Sequence, residues 1–308
     1  MRRLVIGSRG SRLALWQAHY VRDRLLAAQA GLVVDVLIIR TAGDAHGQAP
    51  LQAVTQRGFF STEIQQALLA GRIDLAVHSL KDLPVEPPAG LVIAAIPPRH
   101  DPSDALAAKF DRRLADLPAG AKVLCSSWRR QAQLLARRAD LRIEPVRGNV
   151  DTRLRKLDES AADAIVLAWA GLDRLGEGGR ITERFDPADF LPAPGQGALA
   201  VEARADDADV IRLAGALDDE PSRQATTAER AFLAGLGGGC QLPAGAYGRI
   251  DAGALVLTGL VASRDGRQVV RDEVRTDDPS EAAALGADLA RRLLEAGGRK
   301  ILIQLEQA

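Results

Sequence analysis

Cysteine and net charge are both scarce in this chain. Its 308 residues include two cysteines, and its 40 basic side chains balance 40 acidic ones. A balanced charge argues against nucleic acid or an anionic membrane as a partner, because both attract an extended basic surface. Cys125 and Cys240 could form one disulfide, but the sequence shows no secretion signal that would favour it. We therefore expect a cytoplasmic protein with reduced thiols, in which anion binding depends on a local cluster of charge.

Long apolar runs and metal-ligand spacings are also absent. Residues 1–11 (MRRLVIGSRGS) pass from a basic pair into a short strand-like run and a polar turn, so we expect no secretion signal. No stretch has the uninterrupted apolar length that a membrane span needs. Four histidines and two distant cysteines lack the spacing of a metal site, and no Walker A loop occurs. The sequence thus predicts no membrane partner, no metal and no P-loop nucleotide site.

The remaining composition predicts a globular α/β protein. With 47% hydrophobic residues, the chain can bury a substantial core and form two or three domains. Short β-rich runs alternate with stretches of helical spacing, which favours mostly parallel sheets. The strand-like runs lie at 4–7, 33–40 and 73–77, and then near Val123, near Ile143 and at 164–168. The repeated pattern predicts two similar lobes.

The C-terminal part has a different pattern. From Tyr247, two strands and one helix closed by Gly297 and Gly298 predict a small α+β domain. We expect the strand-like run 198–203 to return to the first lobe. The predicted domains are residues 1–98 with 199–218, residues 99–198, and residues 219–308. Residues 41–58 lack periodicity and are predicted to form a mobile lid.

Positive charge is concentrated in one part of the chain. Between Trp128 and Lys156, nine Arg or Lys residues stand against three Asp or Glu residues. Residues 126–130 (SSWRR) lie at a predicted strand-to-helix turn, and residues 147–149 (RGN) open the next helix, where backbone N–H groups are free. Guanidinium groups at such turns suit several carboxylates or phosphates. A solvated helix face is the alternative for four of them: Arg129, Arg130, Arg147 and Arg153.

A second motif, residues 78–84 (HSLKDLP), follows an apolar strand. It places Asp82 beside Lys81 at the carboxyl end of that strand, where ligands bind in such sheets. On the bare sequence, Asp82 is as compatible with capping a turn or pairing with Lys81 as with catalysis. His78 fits a hydrogen-bonded structural residue better than a general base.

The third motif is residues 237–243 (GGGCQLP), after a helix-like stretch. Three glycines remove every side chain before Cys240, so its thiol has room for a bulky covalent group. A chance small residue in a permissive loop is the alternative.

Together the motifs resemble the porphobilinogen deaminase (hydroxymethylbilane synthase) family. The resemblance extends from residues 8–14 to the final helix, and its motifs occur in one order: 78–84 (HSLKDLP), 126–131 (SSWRRQ), 147–153 (RGNVDTR), 194–198 (PGQGA) and 238–240 (GGC). It implies two periplasmic-binding-like α/β lobes with a third, small α+β domain, in a monomeric enzyme. The implied reaction of heme biosynthesis deaminates four porphobilinogen molecules and joins them head to tail on a dipyrromethane primer. Hydrolysis then releases 1-hydroxymethylbilane.

The resemblance also implies roles for single residues. Cys240 would carry the covalent dipyrromethane, and Asp82 would stabilise positive charge on pyrrole nitrogens and mediate proton transfer. Every ring carries an acetate and a propionate, which gives the clustered arginines a physical reason. The implied cofactor-binding residues are Lys81, Ser127, Arg129 and Arg130. The implied substrate-binding residues are Arg9, Ser11, Arg147, Arg153 and Arg174, with Gln17 and Gln196 as further candidates.

Two other classes of protein are compatible with parts of the pattern. Paired α/β lobes also form non-catalytic receptors, here for a polycarboxylate ligand, but a receptor has no need for Cys240 or Asp82 and carries no covalent pyrrole. An enzyme acting on phosphate ligands could use the same arginines. The sequence offers such an enzyme no phosphate loop and no cluster of metal-binding carboxylates.

Overall fold

A computed structural model describes residues 2–41, 62–238 and 242–306 of the chain. The chain divides into two compact units, residues 1–100 with 197–223 and residues 101–196 with 224–308. All of the predicted lid except Thr41 lies outside the described residues, and so does Cys240. None of the described helices is long and apolar enough to cross a bilayer.

The first unit contains a five-stranded sheet with helices. Its strands are β1 (Arg2–Ser8), β2 (Leu32–Ile38), β3 (Leu75–Ser79), β4 (Leu91–Ala95) and β10 (Leu199–Arg204), and its helices are α1 (Arg12–Ala28), α2 (Thr62–Leu69) and α6 (Ala208–Gly215). The strand order is β2-β1-β3-β10-β4. Strand β1 is parallel to β2 and β3, whereas β10 is antiparallel to β3 and β4. The predicted return of the chain to this sheet is therefore present, as β10.

Local sequence explains how the first unit begins. Strand β1 is followed by a polar turn, and Ser11 caps α1 by accepting a hydrogen bond from the backbone N–H of Ala14 at 3.3 Å. The apolar side of α1, with Val21 and Leu25, packs in the core beside Ile6 of β1. The strand–turn–helix unit therefore places the polar turn at the carboxyl end of β1.

The second unit repeats this design. Its first sheet consists of β5 (Asp104–Ala108), β6 (Lys122–Leu124), β7 (Arg142–Glu144), β8 (Ala164–Ala168) and β9 (Glu183–Arg184), accompanied by α3 (Trp128–Arg137), α4 (Val150–Glu159) and α5 (Trp169–Arg174). The order is β7-β6-β8-β5-β9, with β6 parallel to β7 and β8, and β5 antiparallel to β8 and β9. In both sheets the fourth strand in this order is the reversed one, so the prediction of two similar lobes is confirmed.

A third, antiparallel sheet belongs to the second unit. It is formed by β11 (Ala244–Asp251), β12 (Ala254–Ala262) and β13 (Val269–Thr276), with α7 (Glu220–Gly235), α8 (Ala282–Leu293) and α9 (Arg299–Glu306). One side of the sheet packs with Phe232 of α7 and Leu289 of α8. On the other side, Leu260 and Ala262 cluster with Ala132 of α3. The small sheet thus lies between its own helices and α3.

The β12–β13 turn fixes this sheet against α3. At Gly266, where φ is +71°, an added Cβ would lie 2.4 Å from the carbonyl oxygen of Ala132. Only glycine permits both the left-handed backbone and the close approach. Nearby, the guanidinium of Arg264 lies 3.4 Å from the ring centroid of Trp128, the first residue of α3.

Two differences from the sequence expectations have a clear physical cause. The third strand begins at Leu75 and not at Ile73, because Asp74 is held by Val5, whose backbone N–H donates to the Asp74 carboxylate at 2.8 Å. The predicted last helix ends at Gly297 and Gly298 as expected, with a φ of +117° at Gly297. The chain then forms a further helix, α9, because Ile301 adds to the core of the third sheet.

We predict that Gly286→Ala destabilises the protein. An added Cβ would lie 2.2 Å from the carbonyl oxygen of Ala228, so α7 and α8 would have to separate. Overpacking of this kind costs about 1–3 kcal/mol, which outweighs the higher helix propensity of alanine. The free energy of unfolding from denaturant titration measures the effect. Gly215→Ala is the control, because no atom lies within 4 Å of its added Cβ. Equal stability of Gly286→Ala and the parent would contradict this account of the packing.

Candidate active site

In the first unit, two predicted motifs meet at one edge of the sheet. Strands β1 and β3 are parallel neighbours, so their carboxyl ends, Ser8 and Ser79, lie at the same edge. A pocket at this edge is lined by residues of both motifs: Arg9, Ser11, Gln17, His78, Ser79 and Asp82. The structure thus brings together Asp82 and two of the residues expected to bind substrate.

Asp82 lies on a single 3-10 turn, Leu80–Asp82, directly after β3. Leu80 is fully buried and its backbone N–H donates to the carbonyl oxygen of Ala198 at 3.0 Å, which anchors the turn. The Asp82 side chain is exposed and forms no hydrogen bond or ion pair with any residue that the structure describes. The alternative of an Asp82–Lys81 pair is therefore not seen. Lys81 lies half-buried on the same turn.

Buried polar side chains support this edge from behind. His78 Nε2 lies 3.0 Å from Oε2 of Glu202 on β10, without the alignment of a hydrogen bond. The amide of Gln65 donates to both oxygens of Glu202 at 3.1 Å. Gln17 donates to Ser79 Oγ at 2.8 Å, which places a candidate residue beside the pocket. These contacts fit the expected structural role of His78.

In the second unit, the start of α3 carries three of the four expected cofactor-binding residues, Ser127, Arg129 and Arg130. Ser127 caps the helix by accepting a hydrogen bond from the backbone N–H of Arg130 at 3.5 Å. Ser126 instead holds the neighbouring segment, because its hydroxyl bonds both the carbonyl oxygen and the N–H of Val146. Cys125 is a buried, free thiol, and burial raises its pKa. A thiol in that state is a poor nucleophile.

Arg129 and Arg130 are both buried, and both contact Asp104 at the start of β5. Arg129 Nη1 donates to Asp104 Oδ2 at 2.6 Å, while Arg130 donates to Oδ1 from Nε at 2.9 Å and from Nη2 at 2.7 Å. Gln196 adds a fourth donor, its Nε2 lying 2.8 Å from Oδ1. The three charged groups sum to one positive charge.

The ion pairs decide the protonation of Asp104. Burial alone would raise the pKa of this carboxyl, but the charges and hydrogen bonds of Arg129 and Arg130 more than offset burial and hold the pKa below its usual range. Asp104 therefore stays ionised at neutral pH although it is fully buried.

The remaining substrate candidates follow β7 and β8, the two strands that flank β6 in the second unit's first sheet. Asn149 caps α4, its Oδ1 accepting from the N–H of Thr152 at 2.9 Å, so that Arg147 precedes the helix and Arg153 lies on its first turns. Arg174 ends α5, which follows β8 directly. All three arginines are half-buried.

The expected attachment point lies beyond the end of α7. This helix ends at Gly235, and the N–H groups of Gly237 and Gly238 bond carbonyl oxygens of its last turn. Cys240 itself lies outside the described residues, between this helix and β11. Within the described part of the chain, no group of His, Cys, Asp and Glu side chains could hold a metal ion.

Comparison with known proteins decides the family. Residues 4–212 match the model for the porphobilinogen deaminase, dipyrromethane cofactor binding domain, and residues 223–295 match that for the porphobilinogen deaminase C-terminal domain. The chain belongs to the porphobilinogen deaminase family. A porphobilinogen deaminase of Roseiflexus sp. (strain RS-1) is 52% identical over 97% of this chain and 98% of its own length. That of Thermus thermophilus is 49% identical over 99% of this chain and 100% of its own length.

Two solved structures of solute-binding proteins are distantly similar to this chain. A TRAP periplasmic solute binding protein from Desulfovibrio salexigens is 12% identical with a TM-score of 0.42, covering 70% of this chain and 72% of that one. The methionine binding protein MetQ is 13% identical with a TM-score of 0.43, covering 69% of this chain and 88% of that one. The two similar lobes rest on the strand orders themselves.

The second unit has donors that fit a cofactor bearing carboxylates. Nε of Arg129 is buried and has no hydrogen-bond partner among the described residues. Ser127 accepts only one bond through its hydroxyl oxygen, so its proton remains able to be donated. A guanidinium and a hydroxyl at the start of one helix suit the acetate and propionate groups of the dipyrromethane of this family.

Asp104 is the buried site residue that sequence reasoning missed. It lies 25 positions before Arg129, in a segment (DPSDA) that carries no periodic signal. Nothing in the sequence pairs it with the arginines. The sequence signal for a buried Asp104 is its position at the start of an apolar strand-like run, residues 105–108 (ALAA). A carboxylate in such a run needs a partner if it is buried.

We predict that Asp104 contributes stability above about pH 4 and loses it below. A carboxyl whose pKa is lowered by folding stabilises the folded state fully above the pKa of the unfolded chain, near 4, and progressively less as the pH falls. The melting temperature of Asp104→Asn should therefore lie below that of the parent by a constant amount down to about pH 4, and the difference should narrow steadily as the pH falls further, because the folded-state pKa is well below that of the unfolded chain. Asp158→Asn, in an exposed pair with Arg180, is the control and should differ little at any pH. Parallel pH profiles for the parent and Asp104→Asn would refute the prediction.

Proposed function

We propose that this chain performs the porphobilinogen deaminase reaction with Asp82 as its catalytic carboxylate. As a member of this family, the chain is a transferase of tetrapyrrole biosynthesis, hydroxymethylbilane synthase. Its dipyrromethane cofactor supplies the covalent primer for chain growth. The observation that carries the proposal is the pocket in the first unit, where an exposed carboxylate without a described partner lies beside Arg9 and Ser11.

The chemistry requires a negative charge that is available to substrate. Loss of ammonia from porphobilinogen leaves an electron-poor methylene pyrrole, and attack by a pyrrole α-carbon produces a cation that must lose a proton. Asp82 can stabilise the positive charge on pyrrole nitrogens and accept or return protons. Arg9 and Ser11 lie close enough to line the same pocket and to bind the acetate and propionate of the substrate.

We expect Asp82→Asn to lower kcat by about 10²- to 10³-fold, because the amide keeps the size but loses the charge. Asp82→Glu should be less severe. The melting temperature should hardly change, since the side chain is exposed and has no described partner. Steady-state rates of hydroxymethylbilane release test this. Glu86→Gln, an exposed neighbour in the same loop, is the control. If Asp82→Asn turned over within a few-fold of the parent, the catalytic role would be abandoned.

We propose Cys240 as the attachment point of the dipyrromethane. A thiolate is the natural nucleophile for an electron-poor methylene pyrrole. The two glycines before it that the structure describes, Gly237 and Gly238, both have positive φ and no side chain. Cys125 is unsuited to this role, because burial raises its pKa and its Sγ bonds the carbonyl oxygen of Ser127.

The intact mass of purified protein distinguishes the two cysteines. Protein from cells that make porphobilinogen should exceed the polypeptide mass by one dipyrromethane. Cys240→Ser should have the bare polypeptide mass, and Cys125→Ser should retain the adduct. An active parent at the unmodified mass, or an adduct lost only in Cys125→Ser, would refute the assignment.

We propose that the arginines act at successive stages. Arg129, Ser127 and Lys81 bind the cofactor, while Arg147, Arg153 and Arg174 bind carboxylates that arrive with later rings. Support comes from position, because Arg129 follows β6 on α3, whereas Arg147 and Arg153 belong to the separate start of α4. Each added ring brings two carboxylates, so a longer chain needs further cationic partners.

The stages predict different masses for different variants. Arg147→Leu and Arg153→Leu should keep the cofactor but accumulate protein that carries one or more additional ring masses. Arg129→Leu should be mostly free of cofactor. Intact mass spectrometry after addition of porphobilinogen measures both outcomes, with Arg155→Leu as an exposed control on α4. Equal cofactor content and the same series of masses in all variants would contradict the proposal that these arginines act at successive stages.

We further propose three domains with the boundaries expected from the sequence, a monomeric state and a cytoplasmic location. The third sheet has its own core, which supports a separate domain at residues 219–308. The contrasting function, a polycarboxylate receptor without catalysis, predicts protein with no covalent pyrrole, so the mass measurement above also excludes or supports it.

A further inference from the structure

The two arginines that open α3 use different edges of their guanidinium groups. An arginine can present Nε and Nη2 together as a fork that matches the two oxygens of a carboxylate. In Arg130 this edge is occupied by Asp104, since Nε and Nη2 both donate to Oδ1. Its Nη1 donates to the carbonyl oxygen of Val166 at 3.1 Å, and Nη2 also reaches Gln196. All three nitrogens of the Arg130 guanidinium therefore donate to groups inside the protein.

Arg129 has the opposite arrangement. Its Nη1 alone makes the internal bonds, to Asp104 Oδ2 at 2.6 Å and to the carbonyl oxygen of Leu191 at 2.7 Å. Nε and Nη2 form no hydrogen bond among the residues that the structure describes, and Nε is buried. The fork of Arg129 thus remains available for an external carboxylate.

Asp104 creates this difference. Its Oδ1 accepts three hydrogen bonds, from Arg130 and Gln196, and its Oδ2 accepts one, from Nη1 of Arg129. The carboxylate therefore fixes Nη1 of Arg129 and leaves Nε and Nη2 of that guanidinium without a bond to any described residue. One carboxylate against two guanidiniums leaves a net charge of +1 in a buried site. A buried charge without a counter-charge is costly, and one carboxylate on Arg129 would neutralise it.

We propose that Asp104 is a positioning residue that holds Arg129 ready to bind one ring carboxylate of the cofactor through Nε and Nη2, and that Arg130 is a structural residue and not a cofactor ligand. This rests on the proposed function, in which the second unit binds the dipyrromethane. It separates two adjacent arginines that the family resemblance treats alike.

The first experiment compares Arg129→Lys with Arg130→Lys in cofactor-free protein from cells that cannot make porphobilinogen. Lysine keeps the charge but has no fork. Arg129→Lys should load at least about tenfold more slowly when porphobilinogen is added, followed by intact mass, because it loses a charge-assisted hydrogen bond. Arg130→Lys should load at nearly the parent rate. Its melting temperature without cofactor should fall by about 5 °C or more, further than that of Arg129→Lys, since a buried ion pair is broken.

The second experiment tests whether Asp104 acts through Arg129. In Asp104→Asn the amide oxygen can continue to accept from Arg130 and Gln196, whereas the amide nitrogen would face Nη1 of Arg129, and two donors cannot bond. Loading should therefore slow. In the double variant Asp104→Asn with Arg129→Lys, loading should be no slower than in the slower single variant, because both changes remove the same contact. If Asp104 had a purely structural role, the fold-reduction in loading rate of the double variant would instead equal the product of the two single fold-reductions.

Each other outcome overturns the proposal. It is wrong if Arg129→Lys loads like the parent, if Arg130→Lys loads as slowly as Arg129→Lys, or if the double variant multiplies the single effects. If Arg130→Lys does not accumulate as folded protein, the double variant decides alone. Arg155→Lys, an exposed change on α4, should match the parent in loading and melting temperature. Failure of the parent itself to gain mass would count against the proposed function, so the two failures can be distinguished.

Discussion

The buried carboxylate of Asp104 is the interaction on which the second unit depends. It joins the first residue of β5 to the first turn of α3 and to Gln196 through four hydrogen bonds. Because α3 is also the helix on which the third sheet packs, the same contact fixes the start of the arginine cluster relative to that sheet. Removal of this charge would leave two guanidiniums buried together.

The two carboxylates of interest have opposite environments. Asp104 is fully buried and surrounded by cationic donors, so it orders the protein around it. Asp82 is exposed on a short turn anchored by Leu80, and no described residue neutralises it. A carboxylate can stabilise a cationic substrate only if it is not already neutralised by an arginine or lysine of the protein. The fold thus supplies one acidic residue for structure and leaves the other for chemistry.

Patterns along the chain predicted much of this architecture. Apolar runs followed by polar turns located β1, β3, β6 and β8, and the parallel pairing of β1 with β3 made Arg9 and Asp82 neighbours. The pairing of Asp104 with Arg129 could not be predicted in this way, since it depends on a strand reversed within its sheet. Helix α9 was missed because its stability comes from the packing of Ile301 and not from local signals.

The central claim is that the chain builds its product while it is covalently attached to the protein. Time-resolved intact mass spectrometry of the parent protein during turnover of porphobilinogen tests this most directly. The account predicts a series of up to four successive ring increments above the cofactor-bearing mass, all on the peptide that contains Cys240, followed by return to the starting mass as the linear tetrapyrrole appears. Formation of product with no change in the mass of the protein would contradict it.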